Sequence, residues 1–392
     1  MEGDFIKIKE SLLPLSWIYG CGVRLRHFCF DVGILKGHTF HVPIIAVGNI
    51  IVGGTGKTPH VEYLVRMLQK KFRVAVLSRG YKRKTKGFVI ADDSSTTRDI
   101  GDEPFQMKKK FPDISVAVDK KRVNGIQRLT GDDPNLDIIL LDDAFQHRYV
   151  KPGINILLVD YHRLIIYDKL LPAGRLREPL NGKNRADIVI ITKCPKELKP
   201  MEFRVITKAM NLFPYQHLYF TTLEYDTPWG LFNKSEIPLA DLCASNILLL
   251  TGIASPRQLQ EDMEAIKKSY GQTTNITTLS FPDHHTFRRK DIKLINSTFE
   301  AMPSPKVLIT TEKDAARMEG IEGLSDEVRQ NVYVLPVNIC FIQKDQEEKF
   351  NESIVVYVLK NSRNSILAKG KEDNKTHDAQ QSTGKSKTIS FK

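Results

Sequence analysis

From Pro43 onward, short runs of β-branched and aliphatic residues alternate with longer segments whose apolar positions recur at helical spacing. That alternation predicts a largely parallel sheet covered by helices, the α/β class. Strand-like runs are "PIIAVGN" from Pro43, "RVAVLSR" from Arg73, "ISVAV" from Ile114, "DIILLDD" from Asp137, "INILLVD" from Ile154 and "ADIVIITK" from Ala186. Between the first two, "PHVEYLVRMLQKKF" places Val61, Leu64, Val65 and Leu68 on one helical face. A second series begins near "NILLLTGIASP", passes through "ITTLSFPDHH" and "KVLITTEKDAAR", and ends with "NVYVLPV". The chain therefore reads as two α/β units, the second smaller, meeting near an irregular, proline-containing region from about Pro195 to Leu242. The first unit is expected over 31–193 and the second over 194–360, with part of the C-terminal region free to pack back on the first; flanking segments cover 1–30 and 361–392.

Composition agrees with a folded chain: 392 residues, 41% hydrophobic and 27% charged. The five cysteines are odd in number, widely spaced and without a C-x-x-C pair, so neither a disulfide framework nor a zinc site is indicated, and a reducing cytoplasm fits. "MEGDFIKIKE" lacks the basic and apolar regions of a secretory signal, and no run is apolar enough to span a bilayer, so neither secretion nor a transmembrane anchor is expected. The net charge of +12 suits nucleic acid, an anionic membrane or a phosphorylated substrate. Part of it lies in 361–392, a basic tail poor in large apolar residues that reads as disordered.

The chemistry begins at "VGNIIVGGTGKTPH". Gly53, Gly54, Thr55 and Gly56 let the backbone approach an anion, and Lys57 and Thr58 end the stretch as a P-loop does, for ATP β/γ-phosphates and Mg2+ respectively. Ile51 stands where the usual pattern has its first glycine. Pro59 suits a first helical turn, so a helix starts at the loop and directs its positive end at the phosphates. "DIILLDDAFQHR" resembles a Walker B strand delivering Asp142 and Asp143 to the metal at the same sheet edge. In "RDIGDEPFQMKKKF", Glu103 can join the metal shell and Asp102 can accept a proton from an attacking hydroxyl, or both can simply complement a helix dipole. "FPDHH" carries His284 and His285, either a solvated turn or a histidine that orients a carboxylate base.

"VGNIIVGGTGKTP", "LSRGY", "GDEP", "LDDAFQHR", "LPAGRLREP" and "TTEKDA", in that order, resemble the tetraacyldisaccharide 4'-kinases of lipid A biosynthesis from about Leu13 to about Val358. That family's loop also lacks the usual first glycine. The resemblance implies a P-loop kinase domain with a smaller second domain. It implies transfer of the γ-phosphoryl of ATP, with Mg2+, to the 4'-hydroxyl of a tetraacylated glucosamine disaccharide 1-phosphate, forming lipid IVA. The site would be the cytoplasmic face of a Gram-negative inner membrane, with the protein peripheral and monomeric. By resemblance Asp102 is the base and His284 its partner, with His285 the lesser twin. Lys57 and Thr58 are the P-loop pair, and Glu103, Asp142 and Asp143 form the metal region with Thr58. Arg122 and His147 match further active-site positions, read as substrate contacts. "RGYKRKTKG" departs from many relatives, and no role is given to Lys82–Lys86.

"SLLPLSWIYGCGVRLRHFCF" interleaves large apolar residues with Arg24, Arg26 and His27, which suits either a helix lying in a membrane interface or one packed on the protein's own core. Three rivals remain. A GTPase switch would read guanine with [NT]-K-x-D, but "ITKCP" has Pro195 where the aspartate belongs. A kinase for a soluble sugar or nucleoside would not need the amphipathic N-terminal stretch. A nucleic-acid ATPase would use the charge, yet no recognition module or aromatic stacking motif is present, and no nucleic-acid partner is expected.

Overall fold

The computed structural model describes residues 8–253, 256–283 and 285–362. Its larger layer contains β1 (Ile44–Gly48), β2 (Val74–Ser78), β3 (Val89–Ile90), β4 (Ser115–Val118), β5 (Ile138–Asp142), β6 (Ile154–Asp160), β7 (Ile188–Thr192) and β8 (His217–Tyr225). The smaller layer contains β9 (Trp229–Gly230), β10 (Asn246–Thr251), β11 (Ile276–Ser280), β12 (Lys306–Thr311) and β13 (Val332–Leu335), after which β14 (Val337–Phe341) returns to the larger one. The strand orders are β14-β8-β7-β6-β1-β5-β2-β4-β3 and β11-β10-β12-β13-β9. Within each sheet the interior pairs are parallel, and only β3, β14 and β9, all at edges, run antiparallel. Burial on both faces explains why β1, β2, β5 and β7 read as unbroken apolar runs with no alternation.

Helices α1 (Leu13–Asp31), α2 (Lys57–Leu68), α3 (Thr97–Ile100), α4 (Asp102–Lys110), α5 (Arg122–Asp132) and α6 (Pro200–Met210) belong to the first unit. In the second are α7 (Leu239–Cys243), α8 (Pro256–Ser269), α9 (Arg289–Glu300), α10 (Glu312–Met318) and α11 (Asp326–Asn331). Val61, Leu64, Val65 and Leu68 of α2 are fully buried against the large sheet, which is the face their spacing predicts.

The region expected to be irregular, Pro195 to Leu242, is largely regular. It holds α6, the nine-residue β8, β9 and α7. β8 pairs with β7 through His217–Phe220 and with β14 through Thr221–Tyr225, so half its partners lie over a hundred residues ahead in the chain. A helix over residues 344–362 then packs on the large sheet, where Phe350, Ile354 and Val358 join the core containing α2. The larger layer therefore draws on chain from both sides of residue 193, and the second unit is inserted between β8 and β14. The tail from 363 and His284 lie outside the described residues.

Candidate active site

The loop between β1 and α2 is held from beneath on every side. Gly53 (φ +126°) and Gly56 (φ +77°) take left-handed backbone that a side chain would strain. A Cβ on Gly48 would lie 2.8 Å from the Phe145 nitrogen, so glycine is what lets the two loops touch. Asn49 Nδ2 donates to Thr55 Oγ1 (2.9 Å), Thr192 Oγ1 to the Thr55 carbonyl (3.1 Å) and Lys193 Nζ to the Gly54 carbonyl (2.6 Å). Lys193 in turn pairs with Asp160 at 2.8 Å. Ile51 is buried and forms a bridge with Leu176 of "LPAGRLREP". At that position the backbone is committed to a neighbouring segment, not to wrapping a phosphate, which accounts for the absent glycine.

Gly53 to Thr58 line a cleft of ≈ 930 Å³ together with Glu103, Asp143, Arg177 and Lys193, closed on the far side by second-unit residues including Ile253, Leu259, Thr311 and Lys313. Asp142 ends β5 and Asp143 follows in a left-handed conformation, φ +48°. Burial pushes the Asp142 carboxyl up to about 7, with the nearby Glu103 and Asp143 charges adding to it. Ser78 donates to its Oδ2 (3.3 Å), while Oδ1 is buried without a hydrogen-bond partner. For Asp143, burial also raises the carboxyl, but Lys57, Arg177 and Arg122 outweigh it and the net is lower than usual. Its Oδ1 lies 3.5 Å from Lys57 Nζ and 3.7 Å from Arg177 Nη1.

Two buried carboxylate oxygens without hydrogen bonds beside a P-loop lysine fit a small hard cation. Among the described residues no three His, Cys, Asp or Glu side chains converge as a complete cage. Mg2+ does not require one, because it keeps water and phosphate ligands alongside one or two carboxylates.

The carboxylates of "GDEP" open α4 and both face α10 of the second unit. Arg317 pairs with Asp102 at 2.8 Å, and Lys313 bridges Glu103 (3.1 Å) and Asp283 (3.2 Å). At the other end of α4, Lys110 joins Glu62 (2.6 Å) to Glu312 (2.8 Å). His285 is tied to Asp291 at 2.9 Å and stacks on Phe281, within its own unit. Arg122 lies beneath the site, donating to the carbonyls of Asp119 (2.6 Å) and Asp142 (3.0 Å), so it shapes the end of β5. His147 lines a separate pocket of ≈ 430 Å³ beside Arg148, and neither it nor Arg122 borders the main cleft.

The profile of one family, described as "Tetraacyldisaccharide-1-P 4'-kinase", matches residues 8–355. The chain belongs to the tetraacyldisaccharide 4'-kinase family. It is 55% identical over 370 residues to a tetraacyldisaccharide 4'-kinase of Phocaeicola vulgatus, covering 93% of this chain and 99% of that one. A Bacteroides thetaiotaomicron protein of the same name is 50% identical over 379 residues, covering 94% and 98%. A crystal structure described as the "apo" form of LpxK from Aquifex aeolicus in complex with ATP matches with a TM-score of 0.67 at 30% identity, over 89% of this chain and 98% of that one. Membership sets aside the GTPase and nucleic-acid rivals, and the lysine of "ITKCP" has another task here, bracing the loop through Gly54.

Several residues of this kinase's site went unnamed in the sequence. Arg177 and Glu178 sit in a quoted motif, "LPAGRLREP", but only the fold shows Arg177 at Asp143 and Glu178 between Arg185 (2.8 Å) and His27 (3.2 Å). Arg317 and Lys313 belong to "TTEKDA" and the residues just after it. His60 gave no signal at all: its Nδ1–H donates to the Gly56 carbonyl (2.7 Å), and Nε2 meets the Thr221 hydroxyl (3.0 Å).

α1 borders the same cleft through Tyr19, Val23, Arg26 and His27. Ser16 and Gly20 are its only buried residues; the Ser16 hydroxyl meets the Leu170 carbonyl (3.0 Å), and a Cβ on Gly20 would lie 2.8 Å from the Leu170 side chain. The large residues turn outward, with Trp17 77%, Ile18 70% and Leu25 64% exposed. That is the reverse of a helix packed on a protein core. Among the described residues no helix is long and apolar enough to cross a membrane.

Proposed function

We propose that this enzyme transfers the γ-phosphoryl group of ATP to the 4'-hydroxyl of a tetraacylated glucosamine disaccharide 1-phosphate, yielding lipid IVA, while lying on the cytoplasmic face of the inner membrane as a peripheral monomer. The observation that carries the reading is the continuity of one cleft from the P-loop, past Glu103 and Asp143, to α1, whose exposed apolar face suits acyl chains and bilayer. Gly53 to Gly56 and the start of α2 offer backbone N–H groups to the β- and γ-phosphates, and Lys57 adds a point charge. Thr58, Asp142, Asp143 and Glu103 are the residues to hold Mg2+. The bound ion supplies charge neutralisation on the transferring phosphoryl group.

Asp102 acts as the base. The acceptor oxygen forms its bond to the γ-phosphorus as the bond to the β,γ-bridging oxygen breaks, ADP leaves, and the hydroxyl proton passes to the Asp102 carboxylate. In a loose transition state that proton leaves late, so even a weakly basic carboxylate suffices. His284, which lies outside the described residues, is the partner that relays this proton; His285, held by Asp291, is not.

Incubation of the full chain with γ-labelled ATP and a Gram-negative lipid extract tests the reading. Label in a disaccharide lipid supports it. Label recovered only as free phosphate would favour a nucleotide switch instead.

A further inference from the structure

α10 meets the first turn of α4 with two cations one helical turn apart, Lys313 on Glu103 and Arg317 on Asp102. Arg317 is the more tightly built of the two, with its side chain 7% exposed. Its Nη1 donates to the Gly252 carbonyl (3.2 Å) and to Asp314 Oδ1 (2.9 Å). Asp314 is completely buried, and its other oxygen accepts from the Gly252 N–H (2.9 Å) and the Thr311 hydroxyl (2.8 Å). One edge of the guanidinium is thus set into the second domain. The other edge, Nε and Nη2, reaches the first domain and brings both donors to Oδ2 of Asp102, each at 2.8 Å.

We infer that Arg317 is a positioning residue for phosphoryl transfer: it fixes the place of the Asp102 carboxylate by holding its Oδ2, so that an aligned base exists only while the second domain is docked on the first. The inference rests on Asp102 being the base. Two donors converging from one rigid guanidinium edge hold that oxygen in place more tightly than a single flexible ammonium can. Reactions of this kind respond steeply to alignment, since a displacement of about 1 Å can cost roughly 100-fold in rate. The second domain thereby contributes to the chemistry from a helix that need not itself touch either substrate.

The test is steady-state kinetics of the full chain with γ-labelled ATP and a tetraacyl disaccharide 1-phosphate acceptor. Arg317→Met is expected to lower kcat about 100-fold with the KM for ATP within about twofold of the parent. Arg317→Lys, which keeps a charge for Asp314 and Asp102 but not the paired donors on Oδ2, should recover roughly tenfold of that loss. In an Asp102→Ala background, Arg317→Met should change kcat by less than about twofold, because the arginine acts only through that carboxylate. An Arg317→Met kcat equal to or above the parent's overturns the inference, as does a full further loss on top of Asp102→Ala. Should Arg317→Met fail to fold, the lysine variant decides: a fall of about tenfold in kcat at unchanged ATP KM supports positioning, and an unchanged kcat overturns it. Asp102→Ala alone separates the two possible failures. Near-normal turnover there removes the base reading itself, whereas a large loss there beside an unaffected Arg317→Met removes only the role of Arg317.

Discussion

His60 shows how a single side chain can belong to the active site without touching substrate. It lies under the P-loop between the Gly56 carbonyl and the Thr221 hydroxyl, joining the loop to β8. Burial outweighs the Gly56 hydrogen bond and lowers its pKa from 6.5 to about 4, so the folded chain keeps the ring neutral. On acidification the unfolded chain takes up a proton first, so this stabilisation is complete above about pH 6.5 and is lost as the pH falls towards 4. Urea unfolding at pH 7.5 and pH 5 should show the parent losing about 2 kcal/mol more than His60→Gln between those values. A pH-independent gap between the two would mean that the ring is not held neutral. Lys57, Thr58 and the Asp142–Asp143 pair could be picked out in the sequence because each belongs to a short motif of fixed spacing. His60, Arg177 and Arg317 were not, because each acts on a partner at least thirty residues away.

At the scale of elements, α1 shows where its large apolar residues lie. A helix that buries Ser16 and Gly20 while exposing Trp17, Ile18 and Leu25 has its apolar face turned away from the protein. Replacing Trp17 and Ile18 together by glutamate should therefore weaken co-sedimentation with anionic phospholipid vesicles by about tenfold or more. The melting temperature should move by no more than about 1 °C, since exposed positions away from packing change stability little. A large drop in melting temperature with unchanged vesicle binding would mean that the face packs on protein. The strands of the parallel core were readable because burial on both faces demands continuous apolar runs. β8 was hidden among prolines and polar residues; its partner β14 lies over a hundred residues ahead, and no local pattern encodes that pairing.

For the whole molecule, the return of the chain after the second domain is the decisive feature. Phe350 is 1% exposed and packs with Tyr219 and Phe341, ring centroids 5.3 and 5.1 Å apart. Tyr357 holds the start of β1, its hydroxyl accepting from the Ile44 N–H at 3.3 Å. Phe350→Ala should cost about 3–5 kcal/mol in chemical denaturation, while Val356→Ala, at an exposed position of the same helix, should change stability by no more than about 0.5 kcal/mol. A small effect at Phe350 would show that the C-terminal helix is not part of the first domain's core. The sequence by itself determined the α/β class, the segments that form the core strands, the P-loop and the kinase family, all of which rest on local spacing or on ordered motifs. Only the tertiary structure decided that the second domain is an insertion closed by β14 and the final helix, that Ile51 is committed to Leu176, and that α10 brings Arg317 to Asp102. Those facts depend on which distant segments share one sheet or one boundary, and burial of common surface selects them when the chain folds as a whole.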